Sequence, residues 1–311
     1  MADLPGDHPF VSGIPLVLGG NVFGWTIARD ESFAVLDAFF EAGGLMIDTA
    51  EGYSNWVPGN QGGESEAIIG EWMEARGVRA DIRIATKTGQ GGAPGSLAPE
   101  AVRNAPAGSL ERLRTDYVDL YYAHRDDQTT PLDEVVGVYD EAFRAGKARE
   151  LGASNYTAGR LAEITDLADR TGARAFTVMQ PLYNLVQRDS YEGTLQDLCV
   201  ARGIAVLPYY GLAAGFLTGK YRDPSDWAGS ARAFSLDQTA QGHGWQVIEI
   251  LRAIAGERGV APAQVALAWL RSRPGVIAPL ASATSPAQIM ELVGAARLEL
   301  APEEAARLDQ A

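Results

Sequence analysis

Cysteine is nearly absent: Cys199 is the only one in 311 residues, so no internal disulfide forms and packing alone must hold the fold. Its setting in LQDLCVARG reads as a helix position without a second ligand at metal-binding spacing. Histidine is almost as sparse. His8, His124 and His243 are scattered, no Cys/His pair has ligand spacing, and no metal is expected. Positive charge is in deficit, with 26 Lys and Arg against 40 Asp and Glu and a net charge of −14. That balance repels phosphate backbones and no basic cluster offsets it, so nucleic acid is not an expected partner. The chain lacks both an 18-residue apolar run and a basic, apolar N-terminal leader; membrane insertion and export are not expected, and the default address is the cytoplasm. The Gly-x-Gly-x-x-Gly fingerprint of an open dinucleotide-binding sheet is also missing, since only Gly19–Gly20 and then Asn21 follow the first apolar run.

What is present is an alternation. Short apolar, β-branched or aromatic runs end in polar residues, and each is followed by a longer stretch with helical spacing. The strand-like runs are Leu16–Leu18, Leu45–Asp48, Ile82–Lys87, Tyr117–His124, Glu150–Ser154, Phe176–Gln180, Ile204–Tyr209 and Val276–Leu280. The spacing predicts helices over about 31–42, 64–76, 98–114, 131–145, 157–171, 192–202, 244–258 and 286–293. Thr157 and Pro131 serve as start signals, and Gly146 and Gly203 as stops. Eight βα units without a linker or a composition break predict one α/β domain over residues 1–311, closed as a (β/α)8 TIM barrel. Phe10–Pro15 is expected to form a short hairpin at the barrel floor, and Gly211 to Gly242, which has no strong period, reads as a functional lid.

Active sites in such barrels lie where strands end at the C-terminal face. Strand two delivers Asp48, with Tyr53 five residues on; strand three delivers Lys87 and strand four His124. Each has a structural alternative: a cap, a loop aromatic, a solvated end charge, a satisfied histidine. Together, four titratable groups at three consecutive strand ends point to chemistry. Carbonyl reduction suits them, because a proton must reach the developing alkoxide. Tyrosine is a poor acid, with an ordinary pKa of about 10, and Lys87 is the cation expected to lower it. Asp48 would hold that ammonium charged, and His124 would polarise the carbonyl.

The runs Asp48-Thr-Ala-Glu-Gly-Tyr53, Ala-Thr-Lys87 and Asp119-Leu-Tyr-Tyr-Ala-His124 resemble the catalytic tetrad of the aldo-keto reductases in order and spacing, and the resemblance extends from about Leu16 to Leu300. It implies an NAD(P)H-dependent oxidoreductase acting on a small-molecule carbonyl, with Tyr53 as general acid, Lys87 and Asp48 as its tuners and His124 as the carbonyl-orienting group. Ser154, Asn155 and Gln180 are similar to the family's nicotinamide carboxamide clamp, and Tyr209 to the aromatic that stacks on the nicotinamide, barrel packing being its alternative. Leu212, Gly215, Leu217, Gly219 and Lys220 in GLAAGFLTGKY resemble the loop covering the pyrophosphate. Ser282, Thr284, Gln288 and Glu291 are expected near the adenosine end. There the resemblance frays, because Thr284 stands where relatives often carry a cation for the NADP 2′-phosphate and Leu292 where they carry Asn. NADP is the cofactor implied, with NAD as a competitor.

Trp25, Trp56, Val57 and Trp227 fall in loops expected to border the mouth, where aromatic walls suit an apolar or aromatic carbonyl; packing is the alternative for each. The run Asn55–Gly63 resembles a bacterial-type branch, which implies a broad-specificity small-carbonyl reductase. Two rivals share the barrel: a Schiff-base lyase or aldolase with Lys87 as nucleophile, and a nucleotide-binding sensor with slow turnover. Nothing in the sequence specifies an oligomeric state.

Overall fold

The apolar runs become eight strands: β1 Val17–Gly19, β2 Met46–Asp48, β3 Arg83–Thr88, β4 Leu120–Ala123, β5 Leu151–Ser154, β6 Val178–Gln180, β7 Ala205–Val206 and β8 Leu280–Ala281. They are seen in a computed structural model that describes residues 13–311. Half of the Phe10–Pro15 segment expected to form the floor hairpin, residues 10–12, lies outside the described residues. All strand pairs are parallel, in the order β7-β6-β5-β4-β3-β2-β1-β8. The ring closes through the backbone leading into β8. Val206 N–H donates to Gly275 O at 2.9 Å, Ile277 N–H to Val206 O at 3.0 Å and Leu280 N–H to Pro208 O at 2.9 Å. Regular pairing of β7 and β8 is shorter than the sequence runs suggest because Pro208 and Pro279 have no N–H to give.

Among the described residues eleven helices surround the ring: α1 Arg29–Glu41, α2 Glu64–Arg76, α3 Pro99–Arg112, α4 Leu132–Arg144, α5 Ala158–Thr171, α6 Thr194–Arg202, α7 Ala233–Ala240, α8 Gly244–Arg258, α9 Pro262–Arg271, α10 Pro286–Ala295 and α11 Pro302–Asp309. Eight match the predicted stretches; α7, α9 and α11 do not. Helix α9 was hidden because it is buried on most of its faces, from Ala263 through Leu270, so no polar stripe marks its period. It packs between α8 and α10. Helix α11 is tied to it by the Trp269 indole, which donates to Asp309 Oδ1 at 2.7 Å.

Two apolar layers follow from strand alternation. Val17, Met46, Ala85, Leu120, Tyr122, Val178, Ala205 and Leu207 fill the barrel interior, while the opposite faces pack against the helices. Gly152 on β5 faces the same interior, where a Cβ would come within 2.6 Å of the Tyr122 ring. Cys199 is fully buried on α6, and burial pushes its thiol up to about 12, which fits the packing role expected of it. Among the described residues no helix is long and apolar enough to cross a membrane.

Candidate active site

The interior layer determines what stands above it. Counting two residues on from Met46, Ala85, Tyr122, Gly152, Val178 and Leu207 gives Asp48, Lys87, His124, Ser154, Gln180 and Tyr209, one layer nearer the C-terminal mouth. Six different strands therefore deliver polar side chains to one ring. Tyr53 reaches it from the loop after β2. That loop is fixed by the left-handed Ser54, whose hydroxyl donates to Phe23 O at 2.9 Å.

Lys87 and Asp48 are 0% and 1% exposed. The Lys87 ammonium donates to Asp48 Oδ1 at 2.5 Å, to Thr49 O at 2.8 Å and to the Tyr53 hydroxyl at 2.9 Å. Tyr53 Oη lies 3.4 Å from Asp48 Oδ1. Burial lowers the Lys87 pKa and the Asp48 charge works against that. The Tyr53 phenol is not lowered as expected. Burial, then the negative Asp48 beside it, push it well above 10, because the carboxylate offsets the ammonium across the same hydroxyl. Tyr53 is thus held in the protonated, donating form.

The His124 ring lies 6.0 Å from the Tyr53 ring, centroid to centroid, and at 72° to it. Burial, then Lys87 and Arg125, hold its pKa well below 6.5, so the imidazole is neutral at neutral pH. Its Nδ1 is buried and has no partner among the described residues. Asn155, in the left-handed region at φ 58°, donates from Nδ2 to His124 O at 2.9 Å and to Ser154 Oγ at 3.0 Å, and accepts the Tyr209 hydroxyl at 2.7 Å. Ser154 Oγ donates to Gln180 O at 2.9 Å, and Gln180 Nε2 donates to Asp48 Oδ2 at 2.8 Å. Asp48, Lys87, Tyr53 and the three expected clamp residues therefore belong to one connected network, which His124 joins through its backbone carbonyl.

The stretch Gly211 to Gly242 is structured, contrary to its lack of period. It holds 3-10 turns at Ala213–Thr218 and Pro224–Trp227 before α7. Leu212, Gly215 and Leu217 lie in or beside the first turn, Gly219 ends it in the left-handed region, and exposed Lys220 follows, its ammonium 4.8 Å from the Tyr221 ring. Trp227 is 2% exposed. It stacks on Trp245 and meets Phe216 and Tyr221, anchoring this segment from beneath instead of lining the mouth. Trp56, by contrast, is 43% exposed and sits edge-on to Trp25 at 5.4 Å and to Tyr53 at 6.3 Å, with half-buried Val57 beside it in sequence. The Arg232 guanidinium lies over Trp25 at 5.6 Å. At the far loop, Ser282 Oγ pairs with Asn21 Oδ1 at 2.5 Å, and Thr284 donates to Gln288 Oε1 from its N–H at 2.8 Å and its hydroxyl at 3.1 Å. Glu291 is exposed one turn further along α10.

The aldo/keto reductase family profile matches residues 15–311. The chain belongs to the aldo/keto reductase family. It is 30% identical to norsolorinic acid reductase B of Aspergillus parasiticus over 96% of this chain and 80% of that protein. It is 34% identical to a protein of Oryza sativa subsp. japonica named probable voltage-gated potassium channel subunit beta, over 86% and 83% of the two chains. A third relative, aldo-keto reductase str7 of Strobilurus tenacellus, is 30% identical over 94% and 84%. The chain is an oxidoreductase of this family, and family membership supports carbonyl reduction with a nicotinamide cofactor.

In this aldo/keto reductase the site fits a carboxamide-bearing ring. Gln180 spends one N–H on Asp48 Oδ2 and lies against the Tyr122 phenol, which leaves its Oε1 to accept from the N–H of a carboxamide. Asn155 is spent on holding Tyr209 and the end of β4. Three contributors escaped the sequence reading. The Thr49 carbonyl that anchors Lys87 is backbone and has no sequence signal. Tyr122, buried two residues before His124, was discoverable by strand alternation. Arg232 lies in the stretch without a period, half-buried and with no carboxylate in ion-pair range among the described residues.

Proposed function

We infer that this protein reduces an aldehyde or ketone to the alcohol, acting as one domain over residues 1–311, with Tyr53 as the proton donor. The observation that carries the reading is the buried Asp48–Lys87 pair whose ammonium reaches the Tyr53 hydroxyl at 2.9 Å. A bound nicotinamide cofactor supplies the hydride. The chain's own residues supply the proton. Tyr53 Oη gives its proton to the carbonyl oxygen, and the phenolate left behind is held by the Lys87 ammonium. Asp48 keeps that ammonium charged in a dry setting. His124, neutral, donates a hydrogen bond that places the same oxygen without adding a charge to be neutralised.

Ser154 and Gln180 orient the nicotinamide amide in this reading, Tyr209 covers the ring face, and the segment from Leu212 to Lys220 folds over the phosphates. NADP is the cofactor proposed. Lys220 and Arg232 supply the cations that Thr284 does not, since neither has a carboxylate within 4 Å among the described residues. Trp25 and Trp56 suit an apolar or aromatic substrate. The Schiff-base alternative is disfavoured because the Lys87 ammonium is committed to three acceptors and has no free lone pair.

The test is an NADPH- and NADH-linked absorbance assay over aliphatic and aryl aldehydes and ketones. Tyr53→Phe should lower kcat by about 10²–10⁴-fold and leave the cofactor Kd unchanged. Wild-type kcat in that variant would refute the assignment.

A further inference from the structure

The mechanism above asks Gln180 only to read the cofactor amide, yet its side chain is already engaged elsewhere. It is buried on β6, 132 residues from Asp48, and it crosses the barrel to donate from Nε2 to Asp48 Oδ2 at 2.8 Å. A carboxylate can only accept, so this contact fixes which end of the amide faces Asp48 and turns Oε1 away. Asp48 is then divided. Oδ1 serves Lys87, and Oδ2 serves Gln180. The Tyr122 phenol is buried in the same space, beside both the Asp48 carboxylate and the Gln180 amide. Among the described residues no other group donates to Oδ2.

We propose that Gln180 is a positioning residue for proton transfer: by holding Oδ2, it keeps the Asp48 carboxylate turned so that Oδ1 meets the Lys87 ammonium that supports Tyr53. Without that bond the buried Oδ2 is bare. Rotation about the soft terminal torsion of Asp48 then moves Oδ1 off the ammonium. Because Oε1 remains available to a carboxamide N–H, one side chain links cofactor seating to the proton-donating group. The inference rests on the reading of Tyr53 and Lys87 given above.

Two variants test it. Gln180→Met removes the donor at similar volume. At saturating cofactor it should lower kcat at least about tenfold while leaving KM for the carbonyl unchanged, the pattern of a lost transition-state contribution. A pure clamp role gives the opposite split, a weaker cofactor Kd and a wild-type kcat at saturation, and that result overturns the proposal. Gln180→Glu places a second carboxyl at 2.8 Å from Asp48, where the two cannot both ionise. Protonated, the introduced carboxyl still donates to Oδ2. Ionised, it repels Asp48. Activity should therefore approach that of the Gln protein at pH 5 and fall by about tenfold per pH unit above the introduced group's titration.

The cofactor-free protein gives a second readout. The introduced carboxyl has its folded pKa raised above the unfolded value of about 4.3, so the stability of Gln180→Glu should decline with rising pH relative to the wild type in urea unfolding. A difference independent of pH overturns the proposal even if activity is lost. The two levels fail separately. An active Tyr53→Phe defeats the functional reading, whereas an inactive Tyr53→Phe beside a fully active Gln180→Met defeats only the role of Gln180.

Discussion

The Asp48–Lys87 pair offers a thermodynamic test that needs no substrate. Both side chains are buried and joined at 2.5 Å, so removing either one leaves a buried charge without its counterion. Such a loss costs about 3–5 kcal/mol, a large part of the roughly 5–15 kcal/mol that holds a domain folded. Lys87→Met also orphans the Thr49 carbonyl, which adds about 1–3 kcal/mol. The double variant Asp48→Asn/Lys87→Met contains no charge at the site. It should be more stable than the sum of the single changes predicts, by about 2–4 kcal/mol of coupling. The pH dependences of the two single variants should oppose each other. In Lys87→Met the unpartnered carboxylate is relieved by taking up a proton, so the folded state binds more protons than the unfolded one and stability falls as pH rises. In Asp48→Asn the burial that already lowers the Lys87 pKa acts unopposed, the unfolded state binds more protons, and stability rises with pH toward about 10.4. Neither slope exceeds about 1.4 kcal/mol per pH unit. Urea unfolding of the cofactor-free proteins at pH 5, 7 and 9, followed by fluorescence of the six tryptophans, measures all four corners of the cycle. Additive losses, or single variants whose stabilities change with pH in the same direction, would refute the buried ion pair.

Other expectations follow from individual contacts. Because the folded pKa of His124 lies well below 6.5, the wild type should lose stability as pH falls below about 6.5, by up to about 1.4 kcal/mol per unit; His124→Gln should remove that slope, and an unchanged acid limb would contradict it. A Cβ at Gly70 on α2 would lie 2.1 Å from Arg112 O and 2.8 Å from the Leu113 backbone, so Gly70→Ala should cost about 3 kcal/mol or abolish soluble expression, and a wild-type urea midpoint would show that α2 and α3 separate freely. Arg232→Gln should weaken NADPH binding by about one to two powers of ten and flatten its salt dependence, read by fluorescence titration at two ionic strengths; an unchanged Kd would free Arg232 from the cofactor. Trp56→Ala should raise KM for aryl carbonyls several-fold at unchanged cofactor Kd, whereas equal effects on aliphatic and aryl substrates would remove the indole from the pocket.

Much of the site was legible because a strand repeats every two residues. Once the runs ending at Asp48, Lys87, His124, Ser154, Gln180 and Tyr209 are read as parallel strands, alternation places all six on the inner wall near the C-terminal strand ends, with Ser154 paired to Gln180 and Lys87 to Tyr122 in register. The contact from Gln180 to Asp48 was not legible, since strand order alone does not show which side chains meet across a barrel. Trp227 takes the packing alternative, which loop position alone does not show, since its neighbours Phe216, Tyr221 and Trp245 make an apolar anchor only when folded. Helix α9 escaped because burial on most faces erases amphipathic period.

The backbone carries a further signal that composition cannot. Among the described residues six non-glycines have left-handed φ: Ser54, Arg114, Asn155, Tyr210, Ala213 and Ala214. Five of them, all but Arg114, lie in the loops that follow β2, β5 and β7 at the mouth of the barrel. Alanine and tyrosine have no local preference for that region, at a cost of about 1–3 kcal/mol each, so only the surrounding fold can impose it. It does so where Ser54 sets the loop of Tyr53, where Asn155 holds Tyr209, and where Tyr210 to Ala214 turn the chain into the 3-10 segment after β7. Local preference and tertiary structure thus disagree in the three loops that carry or adjoin Tyr53, Asn155 and Tyr209, so the strain stored there is held by the same packing that assembles their hydrogen-bond network.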